Sequence, residues 1–222
     1  MELIEAINSR KSIRGYKPTP VPKETLVQIL EIAIRSPSAL NTQPWKFTIL
    51  GGKVLDKVRE GLQEQFLAGT EMHPDISPSP PPSGIYRTRQ VDLAKGLFQL
   101  MDIAREDKGK RMEWTARAFR LFDAPNAIIV SMDEEINSFS SIFSLGIISQ
   151  TIALVAVSFG LGTCIEQNSA LYPELIRKIT GIPESQKIVA GMAIGYPDWD
   201  FPANKLQSAR EPVSIIATWC GV

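Results

Sequence analysis

Two short stretches near the start of the chain are the most informative about its fold and its ligand: RKSIR at residues 10–14 and, one helix later, PSALNTQPW at residues 37–45. In the first stretch, Arg10 and Arg14 flank Lys11 and Ser12. A guanidinium group matches phosphate oxygens with two parallel hydrogen bonds, so these side chains predict a compact anion receptor without a glycine-rich loop. A basic pentapeptide taken alone is more often a solvated surface, so this interpretation depends on the rest of the chain.

The second stretch supplies side-chain amides. Asn41 and Gln43 each carry a donor and an acceptor, which complements a flat heterocycle whose edge alternates C=O and N–H groups. The stretch follows a helix that Pro37 ends, so both amides lie on a connection, where ligand-binding groups are common. A turn leading into a strand is the alternative interpretation, and Trp45 is expected to be core. Together the two stretches predict a bound mononucleotide.

Composition narrows the possible chemistry. The 222 residues suit one domain, and the 24 basic and 24 acidic residues cancel, so no surface charge indicates nucleic acid or an anionic membrane as a partner. Cys164 and Cys220 lack the spacing of a zinc site or a disulfide framework, and we expect buried or inert thiols in a reducing cytoplasm. His73 is the single histidine, which excludes histidine-based nucleophilic and multi-histidine metal chemistry. Catalysis therefore requires a cofactor, and no metal is expected.

Residues 136–165 contain no charged side chain and are long enough to cross a bilayer by count alone. The stretch is rich in Ser and lacks basic or aromatic flanks, which favours a core helix, buried in the protein or between two subunits. A membrane span is the alternative. The acidic start of the chain, MELIE, does not resemble a signal peptide, which favours a cytoplasmic location.

The remaining pattern combines many helices with few strands and has no regular β-α-β rhythm, which favours an α+β fold. Apolar periodicity and Gly or Pro boundaries predict helices near residues 2–9, 22–36, 53–67, 86–122 and 173–180, and strands at 46–50, 127–130, 188–194 and, as a strand or extended arm, 213–219. Residues 68–84 contain five prolines, which exclude a helix and a central strand. This segment is expected to be a lid or a rigid surface excursion.

The order Arg-Lys-Ser-x-Arg, a helix, and Pro-Ser-x-x-Asn-x-Gln-Pro-Trp resembles the opening of the nitroreductase family of FMN-dependent oxidoreductases. The resemblance continues in GLGTC at 160–164, GMAIGYP at 191–197 and REPV at 210–213, and within the family it is strongest to nitrobenzoate-type reductases. It implies an α+β, nitroreductase-like fold with a central, mainly antiparallel sheet flanked by helices, in an intertwined homodimer. It also implies a single FMN-binding domain over residues 1–222, with a flavin-covering insertion at about 68–122.

The resemblance also implies roles for particular residues. Those that would contact FMN are, at the phosphate, Arg10, Lys11, Ser12, Lys205 and Arg210; at the ribityl chain and ring, Ser38, Asn41 and Gln43; and at the flavin face and N5 edge, Ile165, Glu166 and Gln167. Ser38 and Asn41 would come from the partner subunit. Arg14 would lie near flavin N1 and O2, where a positive charge stabilises the reduced ring. Arg14 and Glu166 are thus the implied catalytic residues. Many relatives have a glycine pair after the position of Cys164, which this chain lacks.

The implied reaction is a ping-pong hydride transfer from NADH or NADPH to nitroaromatic or related electron-poor aromatic compounds, with no protein nucleophile. The substrate candidates, in the region that covers the flavin in relatives, are Tyr86, Arg87, Arg89, Trp114, Phe119 and Phe122. Arg87 or Arg89 would meet a substrate carboxylate, with a solvated basic face as the alternative.

Two other functions share the same cofactor residues. One is a flavin enzyme of other chemistry, such as a reductive dehalogenase, a quinone or azo reductase or a flavin-degrading enzyme; the other is a non-catalytic flavin-binding protein.

Overall fold

The computed structural model describes residues 1–222 and has the expected alternation of many helices with few strands. In chain order the elements are α1 (Leu3–Ser9), α2 (Lys23–Ala33), β1 (Lys46–Gly51), α3 (Gly52–Leu67), α4 (Gly84–Leu100), α5 (Lys108–Phe119), β2 (Asn126–Asp133), α6 (Phe139–Ser158), β3 (Gly162–Glu166), α7 (Pro173–Thr180), β4 (Gln186–Gly195) and α8 (Val213–Ile216). Short 3₁₀ turns lie at Ala39–Asn41, Leu121–Asp123, Glu134–Ile136, Asn168–Leu171 and Pro202–Lys205.

The four strands form one antiparallel sheet in the order β1-β2-β4-β3, which confirms the predicted α+β architecture. β2 and β4 lie in the middle, and every residue of β2 except its last, Asp133, is buried. Burial on both faces explains why residues 127–130 are apolar at every position instead of alternating. β3 is an edge strand that the sequence pattern did not predict, because it is short and contains polar residues.

Helices cover both faces of the sheet and create two hydrophobic clusters. Successive strand residues point to opposite faces, so Ile129 and Ile128 of β2 belong to different clusters. Ile129 shares its cluster with Leu55 of α3 and other apolar side chains of α5 and α7. Ile128 shares its cluster with Ile152 of α6 and apolar side chains of α2. The core is therefore a sheet between two helical layers.

The charge-free stretch forms α6, the longest helix. Ser138 caps its start by accepting a hydrogen bond from the Ser141 N–H (3.2 Å). Hydroxyls along the helix donate to carbonyls one turn earlier, as Ser149 does to Leu145 (2.7 Å), so these polar groups are satisfied within the helix. The helix is long and apolar enough to cross a membrane by length and composition, and 44% of its apolar window is buried inside the protein. The prediction of a core helix is thus confirmed for one of its faces.

Two details differ from the sequence-based expectations. Residues 213–219 are not a strand: they form α8 and an irregular end, exposed at positions such as Ile215 and Trp219. Strand propensity reflects packing against neighbouring strands, and this segment has no neighbouring strand. Residues 86–122 form two helices, because Asp107 accepts a hydrogen bond from the Lys110 N–H (2.8 Å) and so starts α5. Of the two thiols, Cys164 is buried but Cys220 is exposed.

The proline-rich segment has neither helix nor strand, as predicted, and one buried ion pair fastens it to the core. The Asp75 carboxylate accepts hydrogen bonds from the Arg177 guanidinium (2.6 Å) on α7 and from the Ile188 N–H (2.8 Å) on β4. Only 10% of the Asp75 side chain and 8% of the Arg177 side chain are exposed. Residues 77–83 after this anchor are all exposed.

Candidate functional site

The RKSIR stretch lies along β3. Ser12 forms a parallel bridge with Thr163, and the Ile13 N–H donates to the Thr163 carbonyl at 3.0 Å. The Ile13 side chain is buried and fills the space where a side chain at Gly162 would lie, so the close approach requires glycine at that position. The stretch is therefore fixed to the edge of the sheet by its central residue, with the polar residues on either side of it.

A buried amide joins this stretch to the later part of the chain. Asn204 is 1% exposed, and its Oδ1 accepts a hydrogen bond from the Arg14 N–H at 2.7 Å. Its Nδ2 donates to the carbonyls of Gly15 (2.8 Å) and Asp198 (2.7 Å). These contacts join the turn that ends at Lys205 to the backbone of Arg14 and Gly15. Sequence reasoning missed Asn204, and nothing in the surrounding PANK sequence marks it.

The cations predicted to hold an anion have no carboxylate partner. Lys11 Nζ lies 5.5 Å from the centre of the Trp199 ring. Arg210 donates only to Ser208 and to the Ala209 carbonyl. The cations absent from all eleven ion pairs of the chain include Arg10, Lys11, Arg14, Lys205 and Arg210. None of these five side chains forms an ion pair within the chain, so they remain available to an anion.

The far end of β3 carries the residues predicted to meet the ring. The Ile165 side chain is 45% exposed, Gln167 is exposed, and Glu166 is partly buried. Burial raises the pKa of Glu166, whereas a hydrogen bond from the Cys164 thiol (3.4 Å) and the charge of Arg14 lower it. A carboxyl group with opposing influences on its pKa beside an arginine is typical of functional sites.

The PSALNTQPW stretch is held in a strained turn against α6. The Gln43 N–H donates to Ser38 Oγ (2.9 Å), and the Ala39 N–H donates to Ser144 Oγ of α6 (3.4 Å). Leu40, Asn41 and Gln43 have φ values of 51°, 57° and 46°. Left-handed backbone at non-glycine residues costs about 1–3 kcal/mol each and clusters at ligand-binding sites.

No hydrogen bond or ion pair joins this turn to the RKSIR stretch within one chain. Instead, Ser38 and Ala39 share a surface cleft of about 350 Å³ with Phe139 and Phe143 of α6. The two stretches that the sequence assigned to one site thus make no polar contact with each other within a single chain.

The predicted substrate residues fall into two groups. Phe119 and Phe122 are 2% and 3% exposed in the core, where Phe119 stacks on Phe66 with ring centres 4.4 Å apart. Trp114, partly buried, packs against Phe122 with ring centres 6.0 Å apart. Both rings are buried within the chain, and the Phe122 ring centre lies 5.8 Å from the Arg14 guanidinium, so their part in substrate binding stays a prediction.

The other predicted substrate residues lie on the exposed start of α4. The Arg89 guanidinium pairs with Glu211 at 3.0 Å and lies 5.6 Å from the centre of the Tyr86 ring. Arg87 is exposed and hydrogen-bonded to Gln90. Arg89 is therefore already neutralised by a carboxylate, whereas Arg87 has no acidic partner.

Comparison with known proteins agrees with this arrangement. Residues 7–196 match the Nitroreductase family. The chain is 31% identical over 217 residues to a chloronitrobenzene nitroreductase from Comamonas testosteroni, covering 97% of this chain and 95% of that protein. It is 32% identical over 211 residues to a 4-nitrobenzoate reductase from Pseudomonas putida, covering 92% and 89%.

The fold is shared as well. The crystal structure of the FMN- and NADPH-dependent nitroreductase NfnB from Sphigopyxis sp. strain HMH superposes with a TM-score of 0.95 at 27% identity, with both chains covered completely. The antiparallel sheet, the RKSIR stretch bound along its edge and the match over residues 7–196 lead to one assignment. This chain belongs to the nitroreductase family.

Proposed function

We propose that this chain is an FMN-dependent oxidoreductase that uses NADPH or NADH to reduce nitroaromatic compounds, at sites built from two copies of the chain. The observation that carries the proposal is the RKSIR stretch fixed along β3, in which Arg10, Lys11 and Arg14 form no ion pair. A phosphate group would supply the acceptor oxygens that these side chains lack, and the family relationship identifies FMN as the compound that brings this phosphate.

The donor set fits FMN in chemical terms. Arg10, Ser12 and Arg210, with Lys11 and Lys205, would hold the phosphate with charge-assisted hydrogen bonds. Arg14 and the residues at the end of β3, Ile165, Glu166 and Gln167, would contact the ring. Ser38, Asn41 and Gln43 would reach it from the second copy, since the PSALNTQPW turn is separate from these residues within one chain.

FMN, when bound, supplies the redox chemistry by accepting electrons from NAD(P)H and passing them to the nitro compound. The task of the chain is then electrostatic. Arg14 would place a fixed positive charge where the ring gains negative charge, and Asn204 holds the Arg14 backbone by accepting a hydrogen bond from its N–H. A protein nucleophile is unnecessary, and the exposed His73 pairs only with Glu71.

A homodimer follows from the apolar surface that one chain leaves exposed. On α6, Phe139 is 83% and Phe143 is 62% exposed, and the neighbouring Leu40 is 99% exposed. Contiguous exposed apolar surface on a soluble domain commonly marks an interface. We infer that a second copy covers this face of α6 and brings its own PSALNTQPW turn toward the cofactor.

The predicted insertion, about 68–122, is proposed to cover the substrate side of the site, within a single domain of residues 1–222. Among its residues, Tyr86, Arg87, Arg89 and Trp114 remain proposed substrate contacts. Phe119 and Phe122 would act from the core, by supporting Trp114.

A cytoplasmic location is also proposed, since both cysteines are free thiols.

The proposal is tested by purification followed by anaerobic reduction. The protein should be yellow, NADPH or NADH should bleach it, and a nitroaromatic such as 4-nitrobenzoate should restore the colour. Quinones, azo compounds and halophenols in the same assay distinguish other flavin chemistry. A yellow protein that neither NADH nor NADPH bleaches would favour flavin storage, and a colourless protein that does not bind added FMN would exclude the proposal.

A further inference from the structure

A small cluster of ionisable groups lies behind the proposed flavin site. Cys164 and Glu166 are two residues apart on β3, so their side chains share a face of the strand. The Cys164 thiol is the hydrogen-bond donor to Glu166 Oε1, at 3.4 Å. Arg14 and Tyr16, from the segment that packs on β3, are the other charged or titratable groups that act on this pair.

We propose that Cys164 is a positioning residue for Glu166: its buried thiol donates a hydrogen bond that fixes the carboxylate at the flavin-facing end of β3 and favours its charged form. This role rests on the proposed function, because the charge of Glu166 matters through the bound ring.

The surroundings of Cys164 suit it to be a hydrogen-bond donor. It is 2% exposed and packs in the same cluster as Phe122 and Ala193. Burial, reinforced by the negative charge of Glu166, raises the pKa of the thiol to about 12. The thiol therefore keeps its proton at physiological pH, and the protonated thiol is the form that donates a hydrogen bond.

The hydrogen bond affects Glu166 because the carboxyl group is itself poorly solvated. Burial raises the pKa of Glu166, and the Cys164 hydrogen bond is the largest influence that lowers it, followed by the charge of Arg14. A thiol is a weak donor in water, but hydrogen bonds to a charged acceptor strengthen where water is scarce. Cys164 thus controls the pH at which Glu166 loses its charge.

Tyr16 provides a matched control in the same cluster. Its hydroxyl oxygen is buried and has no hydrogen-bond partner in the chain. Tyr16→Phe removes that oxygen while keeping the ring, which packs against the core and lies under Gly195. If the direct hydrogen bond from Cys164 determines the pKa of Glu166, Tyr16→Phe should shift the midpoint of the Glu166 titration less than Cys164→Ala does.

The test is a carbon-13 NMR titration of the Glu166 carboxyl group in full-length protein, flavin-free and FMN-loaded, with the resonance assigned from Glu166→Gln. Relative to wild type, Cys164→Ala should shift the midpoint to higher pH, because the carboxylate loses its donor. Cys164→Ser, which keeps a donor in a similar volume, should return the midpoint toward the wild-type value. In FMN-loaded protein, the pH dependence of the flavin midpoint potential should shift in the same direction.

Equal Glu166 midpoints in wild type, Cys164→Ala and Cys164→Ser would overturn the proposal, whatever happens to stability. A loss of melting temperature without a shift in either titration would assign Cys164 to packing alone, and so would also overturn it. If wild type binds no FMN, the proposed function fails, while the flavin-free titration still decides whether the thiol controls Glu166.

Discussion

A single buried amide, Asn204, organises the charged part of the site. It satisfies the Arg14 N–H and the Gly15 carbonyl, which lie 190 and 189 residues earlier in the chain. Leaving either group buried without a partner would cost about 1–3 kcal/mol. Because Asn204 also bonds to the Asp198 carbonyl, one side chain connects the N-terminal stretch to the segment that carries Lys205 and Arg210. The sequence predicted which cations would bind an anion, but it did not predict that Asn204 joins the two segments that carry them.

At this scale, Arg10→Ala and Arg210→Ala are expected to weaken FMN binding. If each guanidinium makes a charge-assisted hydrogen bond to the phosphate, its loss should cost about 1.5–3 kcal/mol, or roughly 10- to 100-fold in Kd. Titration of flavin fluorescence measures the affinity. Lys57→Ala, which removes an exposed cation of α3, should leave it unchanged. Wild-type affinity in both arginine variants would place the phosphate elsewhere.

Among the elements, the proline-rich segment shows how an irregular stretch becomes fixed. Prolines exclude regular structure, so the hydrogen bonds of a helix or sheet do not hold this segment in place. The Asp75 carboxylate supplies the attachment, since it bonds to Arg177 of α7 and to the Ile188 N–H of β4. The Arg177 guanidinium also donates to the Gln186 carbonyl at 2.7 Å. Residues before this anchor are therefore tied to the core, and motion of a lid would be confined to residues 77–83.

Asp75→Ala is expected to destabilise the protein by about 3–5 kcal/mol, because it leaves the Arg177 charge buried without its main partner. Urea denaturation measures the loss. Glu174→Ala is the matched control: Glu174 pairs with the same arginine at 2.9 Å, but its side chain is 77% exposed. That substitution should cost less than about 1 kcal/mol. Equal costs for the two variants would contradict the importance of burial at this anchor.

For the whole molecule, the exposed side of α6 is the feature that one chain leaves incomplete. Its buried side packs on the sheet through residues such as Ile148 and Ile152, while Phe139 and Phe143 face outward. A charge-free helix is the sequence signal for burial on all sides. The tertiary structure covers one side only, which is the physical reason to expect a second copy on the other.

Phe143→Glu is therefore expected to convert a dimer into monomers and to weaken FMN binding, because it places a charge in an apolar interface. Size-exclusion chromatography with light scattering measures the mass, and flavin fluorescence measures the affinity. Val54→Glu, which alters a 44% exposed apolar residue on α3, should change neither. If the wild-type protein is found as a monomer, and this monomer binds FMN as tightly as a dimer does, the two-chain site is refuted.

The sequence by itself determined the element types and the chemistry of the ligand-binding groups. Helical periodicity and continuous apolar runs predicted α2, α3, α7, β2 and β4, because these patterns reflect burial on one face or on two. Arginine, serine and amide side chains predicted an anion and a heterocycle, because donor and acceptor capacity belongs to the residue itself. Local propensity failed at residues 213–219 and at β3, where pairing partners distant in sequence decide the outcome.

Only the tertiary structure decided which of these groups meet. It bound the RKSIR stretch to β3 through Ser12 and Ile13, added Asn204, and placed Cys164 against Glu166. It also buried the Phe119 ring in the core. Within one chain, it placed the amide turn beside α6, without a polar contact to the cations. These outcomes depend on contacts between residues far apart in sequence, and burial and partner geometry exist only once the chain has packed.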